Sequence, residues 1–447
     1  MNIRKPLQSE VQLKNPKLLN VAFNQDNSCF AVCSETGFKV FASYPMELKM
    51  ERDFSITPDK KNVIDNGRHV ETKFPVKSIN GNQFTGIGII KMLYKTNYIA
   101  LVGGGKKPKF PINKVYIWDD FKQKESIVLE FNTPVLNVHL SRKHIFIILK
   151  NFSLVYSFKS KPELLYSFET INNDFGVSEI VVYENSSLFV FPGRVVGQLH
   201  VVDINNTNTV MANKNNIDNG DDGDDNNKDN DDSDKSKNDF TIVTNERDKE
   251  KKSIGLIKAH KNPIQSVCLS SNGKMVASAS NQGTIIRIHD TKTCSLLYEF
   301  RRGVDSAIVT SMKFSPNNEK LAVLSDKNTL HVYYIQPPDA ENGGGGGNDD
   351  DDNGNGNPNT KHILKNIPLF TKYFRSTWSY VSKDVGHKTD NFHDIGELGW
   401  SDDNSIIIIW KFKGIWEKYD IILNTLQLDN SKDSNKWKIV KEGWRSV

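Results

Sequence analysis

One pattern of short β-strand segments recurs about every 40 residues along this chain. In the clearest copy, an apolar segment at Ile264–Ser270 is followed by a polar turn at Ser271–Lys274 and by two alternating segments, Met275–Ser280 and Gly283–Asp290. Strands this short, bounded by Asn, Asp and Gly, bury their apolar faces only by stacking on neighbouring copies. The unit and its period predict an all-β fold of the WD40-type β-propeller kind.

Seven copies of the pattern can be placed on the 447 residues. A second clear copy runs from Ile308 to Tyr334, and a third runs from Leu19 to Phe41. The fainter copies lie at residues 85–131, 132–170, 175–203 and 394–447. The third and fourth of the seven are inferred partly because the ring must close. We therefore expect a single seven-bladed β-propeller over residues 17–447.

Two segments between the copies lack the apolar residues that a packed core needs. Asn, Asp and Lys dominate residues 205–252, and Gly, Asn and Asp dominate residues 341–360. Neither segment can offset its ordering entropy, so both are predicted to be long disordered insertions. Residues 55–83 are interpreted as a milder insertion, and residues 336–377 as a long excursion within the sixth blade.

The charge of the chain is segregated between these insertions and the blades. The formal net charge is +4, whereas residues 217–239 carry ten Asp and three Lys and residues 349–352 are four Asp. The remaining chain therefore carries +15. A basic folded part favours an anionic partner such as a phosphoinositide membrane, a nucleic acid or an acidic protein, without choosing among them.

Other function classes leave little trace in the sequence. The four cysteines lie in apolar strand-like runs without zinc-ligand spacing, which indicates small buried side chains in a reducing compartment, and no metal or cofactor is expected. No apolar run approaches the roughly 18 to 20 residues of a membrane span, so membrane contact is expected to be peripheral.

The Gly103–Lys107 run lacks phosphate-loop spacing, and the chain is predicted not to be an enzyme. Nucleic-acid binding is disfavoured because no aromatic platform accompanies the basic residues.

Two adjacent arginines, Arg301 and Arg302, follow a predicted strand at Ser295–Phe300. Neighbouring residues on a strand point to opposite faces, so the pair can serve two different pockets. The forked guanidinium suits phosphate oxygens, which makes the pair a candidate for two anionic ligands.

The sequence around this pair, EFRRGVD at residues 299–305, resembles the PROPPIN family of phosphoinositide-binding WD40 proteins. Further segments similar to that family occur in the same order: FNQD at 23–26, MLYKTNYIALVGGG at 92–105, VYIWDD at 115–120, KAHKNPI at 258–264 and GIWEKY at 414–419. The resemblance covers essentially the whole chain outside the insertions. Within the family, the chain looks most like the fungal member linked to micronucleophagy.

The resemblance implies two phosphoinositide sites flanking the double arginine. The first would use His260, Ser278, Ser280, Gly283, Thr284, Arg287 and Arg301. The second would use Arg302, Ser325, Thr329 and His331, with Asp326 placed to repel a second phosphate. Thr284 and Arg287 lie three apart and would face opposite sides of one strand, unless Thr284 acts from the turn before it. Hydroxyls donate to phosphate without adding charge, while arginine supplies the ion pair.

The end of the sixth-blade excursion carries a short basic amphipathic segment. Ile363, Ile367, Phe370 and Phe374 recur at helical spacing and form one apolar face, although Pro368 lies within the pattern and is better suited to the start of a helix. Leu369 is assigned to membrane insertion together with them. In the family this loop inserts into the bilayer, which implies the same role here. The alternative is that these residues pack on the rim of the propeller.

The implied function is binding of phosphatidylinositol 3-phosphate and phosphatidylinositol 3,5-bisphosphate by a monomeric peripheral membrane protein that acts as an effector in autophagy. Such a protein would be cytoplasmic and would associate with vacuolar, endosomal and preautophagosomal membranes, together with autophagy proteins that the sequence does not identify. The competing interpretation is a WD40 protein–protein scaffold without specific lipid recognition.

Overall fold

The computed structural model describes residues 18–65, 68–77, 84–206, 254–335, 358–359, 377–386, 394–424 and 437–447, with side chains outside 56–83. Over these ranges the chain forms 31 strands and a single 3₁₀ turn. Seven sheets of four or five strands follow one another along the chain, and a separate hairpin lies between the first two. The prediction of an all-β, seven-bladed propeller is confirmed.

The first three blades are four-stranded antiparallel meanders. Blade 1 contains β1 Leu18–Phe23, β2 Cys29–Ser34, β3 Gly37–Ala42 and β4 Glu47–Asp53. A hairpin follows, formed by β5 Ile56–Asp65 and β6 Arg68–Lys77. Blade 2 contains β7 Ile87–Met92, β8 Tyr98–Gly103, β9 Lys114–Asp119 and β10 Lys124–Glu130. Blade 3 contains β11 Asn137–Leu140, β12 His144–Ile148, β13 Phe152–Ser157 and β14 Leu164–Glu169.

Blades 4 and 6 receive their fourth strands from beyond long chain segments. Blade 4 contains β15 Glu179–Tyr183, β16 Ser186–Pro192, β17 Gln198–Asp203 and β18 Gly255–Lys258, with the 3₁₀ turn Ile204–Asn206 after β17. Blade 5 contains β19 Ile264–Leu269, β20 Met275–Ser280, β21 Ile285–Asp290, β22 Leu296–Arg301 and the short β26 Thr377–Trp378. Blade 6 contains β23 Val309–Phe314, β24 Lys320–Ser325, β25 Thr329–Tyr334 and β27 Val381–Asp384.

Blade 7 packs on blade 1 and closes the ring. It contains β28 Gly396–Asp402, β29 Ser405–Trp410, β30 Ile415–Leu423 and β31 Trp437–Ser446. Ile407, Ile409 and Trp416 of this blade share one buried cluster with Phe30 and Phe41 of blade 1. The first and last copies of the repeat therefore cover each other's apolar faces.

The apolar core lies between successive blades. Middle strands have blades on both sides, so their residues are buried on both faces, as in the SIIIIW sequence of β29. The outer strands are more exposed, and in β22 only Phe300 is buried, while its other residues are exposed or half-buried. Of the cysteines, Cys33 and Cys268 are buried, but Cys29 and Cys294 are only half-buried, contrary to the prediction that all four are buried.

The predicted insertions lie mostly outside the described residues. Residues 207–253, between β17 and β18, and residues 336–357 are among those not described. The described residues contain no helix long and apolar enough to cross a membrane.

Candidate anion-binding sites

Strand β22 brings the two arginines to one end of blade 5. Phe300 packs in the cluster shared with blade 6, where its ring stacks on Tyr333 with centroids 4.7 Å apart. Arg301, the next residue, therefore belongs to the opposite face. The strand ends at Arg301 and not at Phe300 as predicted, and Arg302 follows directly, with its backbone N–H donating to Thr284 O at 2.9 Å.

Four of the predicted side chains of the first site share one face of blade 5. Ser278 pairs with Arg287 across β20 and β21, and Ile285 pairs with Arg301 across β21 and β22. Ser280 lies two residues beyond Ser278, and residues two apart on a strand share a face. This face points towards blade 4, because Val276, on the same side, joins the core that blades 4 and 5 share.

The connection from blade 4 to blade 5 supplies His260. Its Nε2 lies 3.0 Å from Ser278 Oγ, and its backbone N–H donates to Gly197 O at 3.0 Å. Burial, followed by the positive charge of Arg287, lowers the pKa of His260 to about 4. The imidazole is therefore neutral near pH 7 and can donate or accept one hydrogen bond.

Arg287 is occupied by contacts that the sequence interpretation missed. Its Nε and Nη2 each lie 2.8 Å from Glu299 Oε2, and its Nη1 donates to Ala259 O at 2.6 Å. Glu299 could have been found from the sequence, since it lies two residues before Arg301 and so on the same face. A phosphate in this site must displace that carboxylate or use the remaining donors.

The turn before β21 places Thr284 at the same end of the blade. Gly283 has φ of +57°, and a Cβ there would lie 1.9 Å from Ala307 O, so the turn requires glycine. Because β21 begins at Ile285, Thr284 belongs to the turn and does not oppose Arg287 on the strand.

The second predicted site lies on the face of blade 6 that points towards blade 5. Ser325 Oγ and Thr329 Oγ1 are 2.8 Å apart, and His331 Nδ1 lies 3.1 Å from Ser379 Oγ. Burial, followed by the charge of Arg302, lowers the pKa of His331 to about 4. Thr329 is opposite Asp384 on β27, so this site holds a second acidic neighbour besides Asp326.

Arg302 is a buried residue, with 5% of its surface exposed. Its Nε donates to Gly283 O at 2.6 Å, and its Nη2 donates to Asp305 O. These contacts join the turn of blade 5 to the connection that leads into blade 6. Only part of the guanidinium fork is left for a ligand.

The end of the sixth-blade excursion lies against both sites. Strand β26 pairs in parallel with β22, with Trp378 opposite Arg301. Ser379, the next residue, provides the contact to His331. The sequence interpretation missed Trp378 and Ser379, because no local signal indicates where a long excursion returns. The predicted insertion residues, Ile363, Ile367, Leu369, Phe370 and Phe374, lie outside the described residues.

The structure thus separates the predicted residues into two groups. His260, Ser278, Ser280, Arg287 and Arg301 lie on the side of blade 5 facing blade 4, with Gly283 and Thr284 at its end. Ser325, Thr329 and His331 lie on the side of blade 6 facing blade 5. Arg302 follows at the end of β22 and donates to Asp305 O in the connection that leads into blade 6. Each group combines guanidinium, hydroxyl and neutral imidazole, which suits a phosphate ligand.

Comparisons with known proteins show which family the chain resembles. The PROPPIN family model matches residues 237–341, which include both arginines. The chain is 43% identical to SVP1-like protein 2 of Pichia angusta and 32% identical to SVP1-like protein 2 of Saccharomyces cerevisiae. The first alignment covers 100% of this chain and 99% of the relative, and the second covers 100% of both.

Solved structures share the fold. Hsv2 of Kluyveromyces lactis with its complete loop 6CD superposes with a TM-score of 0.62 at 22% identity, covering 96% of this chain and 99% of that one. KlAtg21, solved in complex with the coiled coil of AgAtg16, superposes with a TM-score of 0.58 at 16% identity, covering 96% and 99%. With relatives above 30% identity along its whole length, the chain belongs to the PROPPIN family, whose propellers are non-enzymatic, phosphoinositide-binding and associated with autophagy.

Proposed function

We propose that this protein binds phosphatidylinositol 3-phosphate and phosphatidylinositol 3,5-bisphosphate through the two groups beside β22. One observation carries the proposal: Arg301 shares a face of blade 5 with Ser278 and Arg287, where His260 Nε2 lies 3.0 Å from Ser278 Oγ. Arg302 follows directly and donates to the connection that leads into blade 6. A phosphate in either place meets an arginine together with neutral donors. Such donors bind an anion without the repulsion that several clustered cations would impose on one another.

The two sites differ in electrostatic character. The first contains one carboxylate, Glu299, which is already paired with Arg287. The second lies beside Asp326 and opposite Asp384, and its arginine is mostly occupied by carbonyls. We expect the first site to bind a given headgroup more tightly, because the second must overcome more negative charge.

Membrane binding by this protein combines headgroup recognition with insertion of residues 363–374. The strand that follows them in the sequence supports the idea, because β26 pairs with the edge of blade 5 beside Arg301. Two modest headgroup sites and an inserting segment on one rigid ring act as linked modules. Their joint affinity can exceed that of each part by orders of magnitude.

The cellular role that we propose is that of an effector in autophagy, specifically micronucleophagy. The protein would act on vacuolar, endosomal and preautophagosomal membranes. Its similarity to SVP1-like protein 2 supports the role in general terms. KlAtg21 has been solved with the coiled coil of AgAtg16, which makes an autophagy protein a reasonable partner here. A WD40 scaffold without specific lipid recognition is the competing function.

Liposome flotation tests the lipid-binding proposal. Vesicles would carry phosphatidylinositol 3-phosphate, the 3,5-bisphosphate or the 4-phosphate. We expect binding only to the first two lipids, about tenfold weaker binding for Arg301→Thr, and complete loss for the double variant Arg301→Thr/Arg302→Thr.

The matched control is Arg142→Thr, which removes an exposed arginine from the connection between β11 and β12, at the other end of the ring. This variant should float like the wild type. The lipid-binding proposal is refuted if the wild type binds all three lipids equally, or if the double variant binds as well as the wild type. The protein would then be interpreted as a WD40 scaffold without specific lipid recognition.

A further inference from the structure

The turn between β16 and β17 in blade 4 exposes two consecutive valines. Its sequence is GRVVG at residues 193–197, and Val195 and Val196 have 63% and 43% of their surface exposed. Turn tips usually carry Gly, Asn, Asp or Ser, which suit both the backbone and the solvent. A tight turn with a β-branched apolar pair at its tip presents that pair outwards with nothing in the described chain covering it.

This turn is fixed in position against the first site. Gly193 O accepts a hydrogen bond from the Ile171 N–H at 2.8 Å, and Gly197 O accepts one from the His260 N–H at 3.0 Å. Gly197 has φ of +72°, and a Cβ there would lie 1.8 Å from His260 O. The valines are therefore held on a rigid support that directly contacts a residue of the first site.

Another exposed valine follows the first site in the sequence, in the connection from blade 5 to blade 6. Val304 lies two residues after Arg302 and has 65% of its surface exposed. Connections between consecutive blades and turns between second and third strands lie at the same end of an antiparallel propeller. Val195, Val196 and Val304 thus lie at one end of the ring, and the first site lies between them along the chain.

A buried polar residue of blade 4 occupies the strand position that site residues occupy in blades 5 and 6. The third residue of β17, β21 and β25 is His200, Arg287 and His331 respectively. Blades 1 and 7 also carry charged residues there, Lys39 and Glu417, whereas blades 2 and 3 carry Tyr116 and Leu154. His200 is 4% exposed, and its Nδ1 has no hydrogen-bond partner in the described chain. A Cβ on Gly193 would lie 2.8 Å from its Nε2, so the ring lies directly beneath the turn.

Arg194 supplies the charge at the tip of this turn. Its Nη2 lies 2.9 Å from Glu169 Oε2, and both side chains are about half exposed. Exposed ion pairs of this kind contribute little to stability, so a lipid phosphate can replace the carboxylate at small cost. Basic charge beside exposed apolar side chains is the combination that binds the boundary between headgroups and acyl chains of an anionic bilayer.

We propose that the Gly193–Gly197 turn is an additional membrane-contact element, in which Val195 and Val196 enter the headgroup boundary and Arg194 pairs with the phosphate of an anionic lipid. The inference rests on the proposed function for the orientation of the ring, since it places the turn on the same membrane as the first site. It adds a shallow apolar contact from blade 4 to the contact expected from residues 363–374.

Substitution of both valines by serine tests the proposal. We expect Val195→Ser/Val196→Ser to lower flotation with vesicles containing phosphatidylinositol 3-phosphate by about three- to tenfold, because two partly inserted side chains lose their apolar contact. Binding of the soluble headgroup inositol 1,3-bisphosphate, measured by calorimetry, should change by less than about twofold, because the turn does not form the headgroup pocket. Thermal unfolding should also be unchanged, since both side chains are exposed.

The matched control is Phe121→Ser. Phe121 is 87% exposed and lies in the connection between β9 and β10, at the other end of the ring. It should float like the wild type. The proposal is overturned if the double valine variant floats like the wild type, if Phe121→Ser loses as much, or if the valine variant loses soluble headgroup binding in parallel.

The same vesicles separate this inference from the proposed function. If the wild type shows no preference for 3-phosphorylated lipids, the proposed function fails. The valine contact is then measured on vesicles with phosphatidylserine as the sole anionic lipid, where the same three- to tenfold loss is expected. Unchanged flotation there would refute the contact on its own.

Discussion

The two adjacent arginines should differ sharply in what they do for the fold. Arg302 is 5% exposed and donates to two backbone carbonyls, Gly283 O and Asp305 O. Arg301 is only partly buried, and its Nη1 makes a long contact of 3.3 Å with Gly303 O. We therefore predict that Arg302→Thr destabilises the propeller, while Arg301→Thr removes an anion-binding group from a fold that stays nearly as stable.

The magnitude follows from these contacts. A hydrogen bond from a charged donor contributes about 1.5 to 3 kcal/mol, and one of the two carbonyls that Arg302 leaves behind belongs to the buried Gly283, whereas the other belongs to the exposed Asp305. Part of this loss is recovered, because folding of the variant no longer has to desolvate a guanidinium. We expect Arg302→Thr to lower the free energy of unfolding by about 2 to 4 kcal/mol, and Arg301→Thr by about 1 kcal/mol or less.

Urea unfolding followed by tryptophan fluorescence measures both values, and calorimetry with soluble headgroup measures binding by the same samples. Arg302→Lys is the matched control, because lysine keeps the charge but reaches only one of the two carbonyls, so it should recover about half of the lost stability. Equal stability of Arg302→Thr and the wild type, or an equal loss in Arg301→Thr, would refute the assignment of Arg302 to a structural role.

Two further predictions concern acid and the last blade. The pKa values of His260 and His331 are lowered to about 4, chiefly by burial, so the unfolded chain binds more protons between pH 6.5 and pH 4. Stability should fall as the pH is lowered through this window, by about 1 to 2 kcal/mol for each histidine at pH 5, and thermal melts of His331→Gln should show a weaker dependence. Glu417 has no exposed surface and accepts hydrogen bonds from Trp410 at 2.6 Å and Tyr419 at 2.7 Å. Glu417→Ala should lower the free energy of unfolding by about 3 to 5 kcal/mol and Glu417→Gln by less, and identical urea midpoints would contradict this.

Much of the fold could be predicted because blades repeat a local signal. Each of the blade 5 strands β19 to β21 coincides with a predicted segment, since its alternation and its Asn- and Gly-rich turns are encoded within a few residues. The fourth strand of blade 4 could not be placed in this way. β18 has four residues, GLIK, and follows β17 only after an insertion, so pairing with β17 and not local pattern defines it.

The candidate sites likewise combine features that the sequence predicts with features that it does not. The opposite faces of Arg301 and Arg302 follow from the alternation of a strand, and the sequence predicts them. The contacts of each side chain do not follow from sequence spacing. Arg302 is buried because Gly283 O lies beside it, and Ser379 reaches His331 because β26 returns to blade 5. Both contacts join residues far apart in the chain.

The two candidate sites are also held rigidly relative to one another. Tyr333 donates to Arg301 O at 3.0 Å, and its ring stacks on Phe300 at 4.7 Å. The strand that carries Arg301 is therefore fixed to the strand that carries His331 and Thr329. If the two sites were flexibly linked, binding of the second headgroup would be weaker, because it would also have to restrict the relative motion of the sites. In the rigid propeller that entropy is already lost on folding. A flat array of identical headgroups is the ligand that gains most from such a frame, because both sites can be filled without any rearrangement of the propeller.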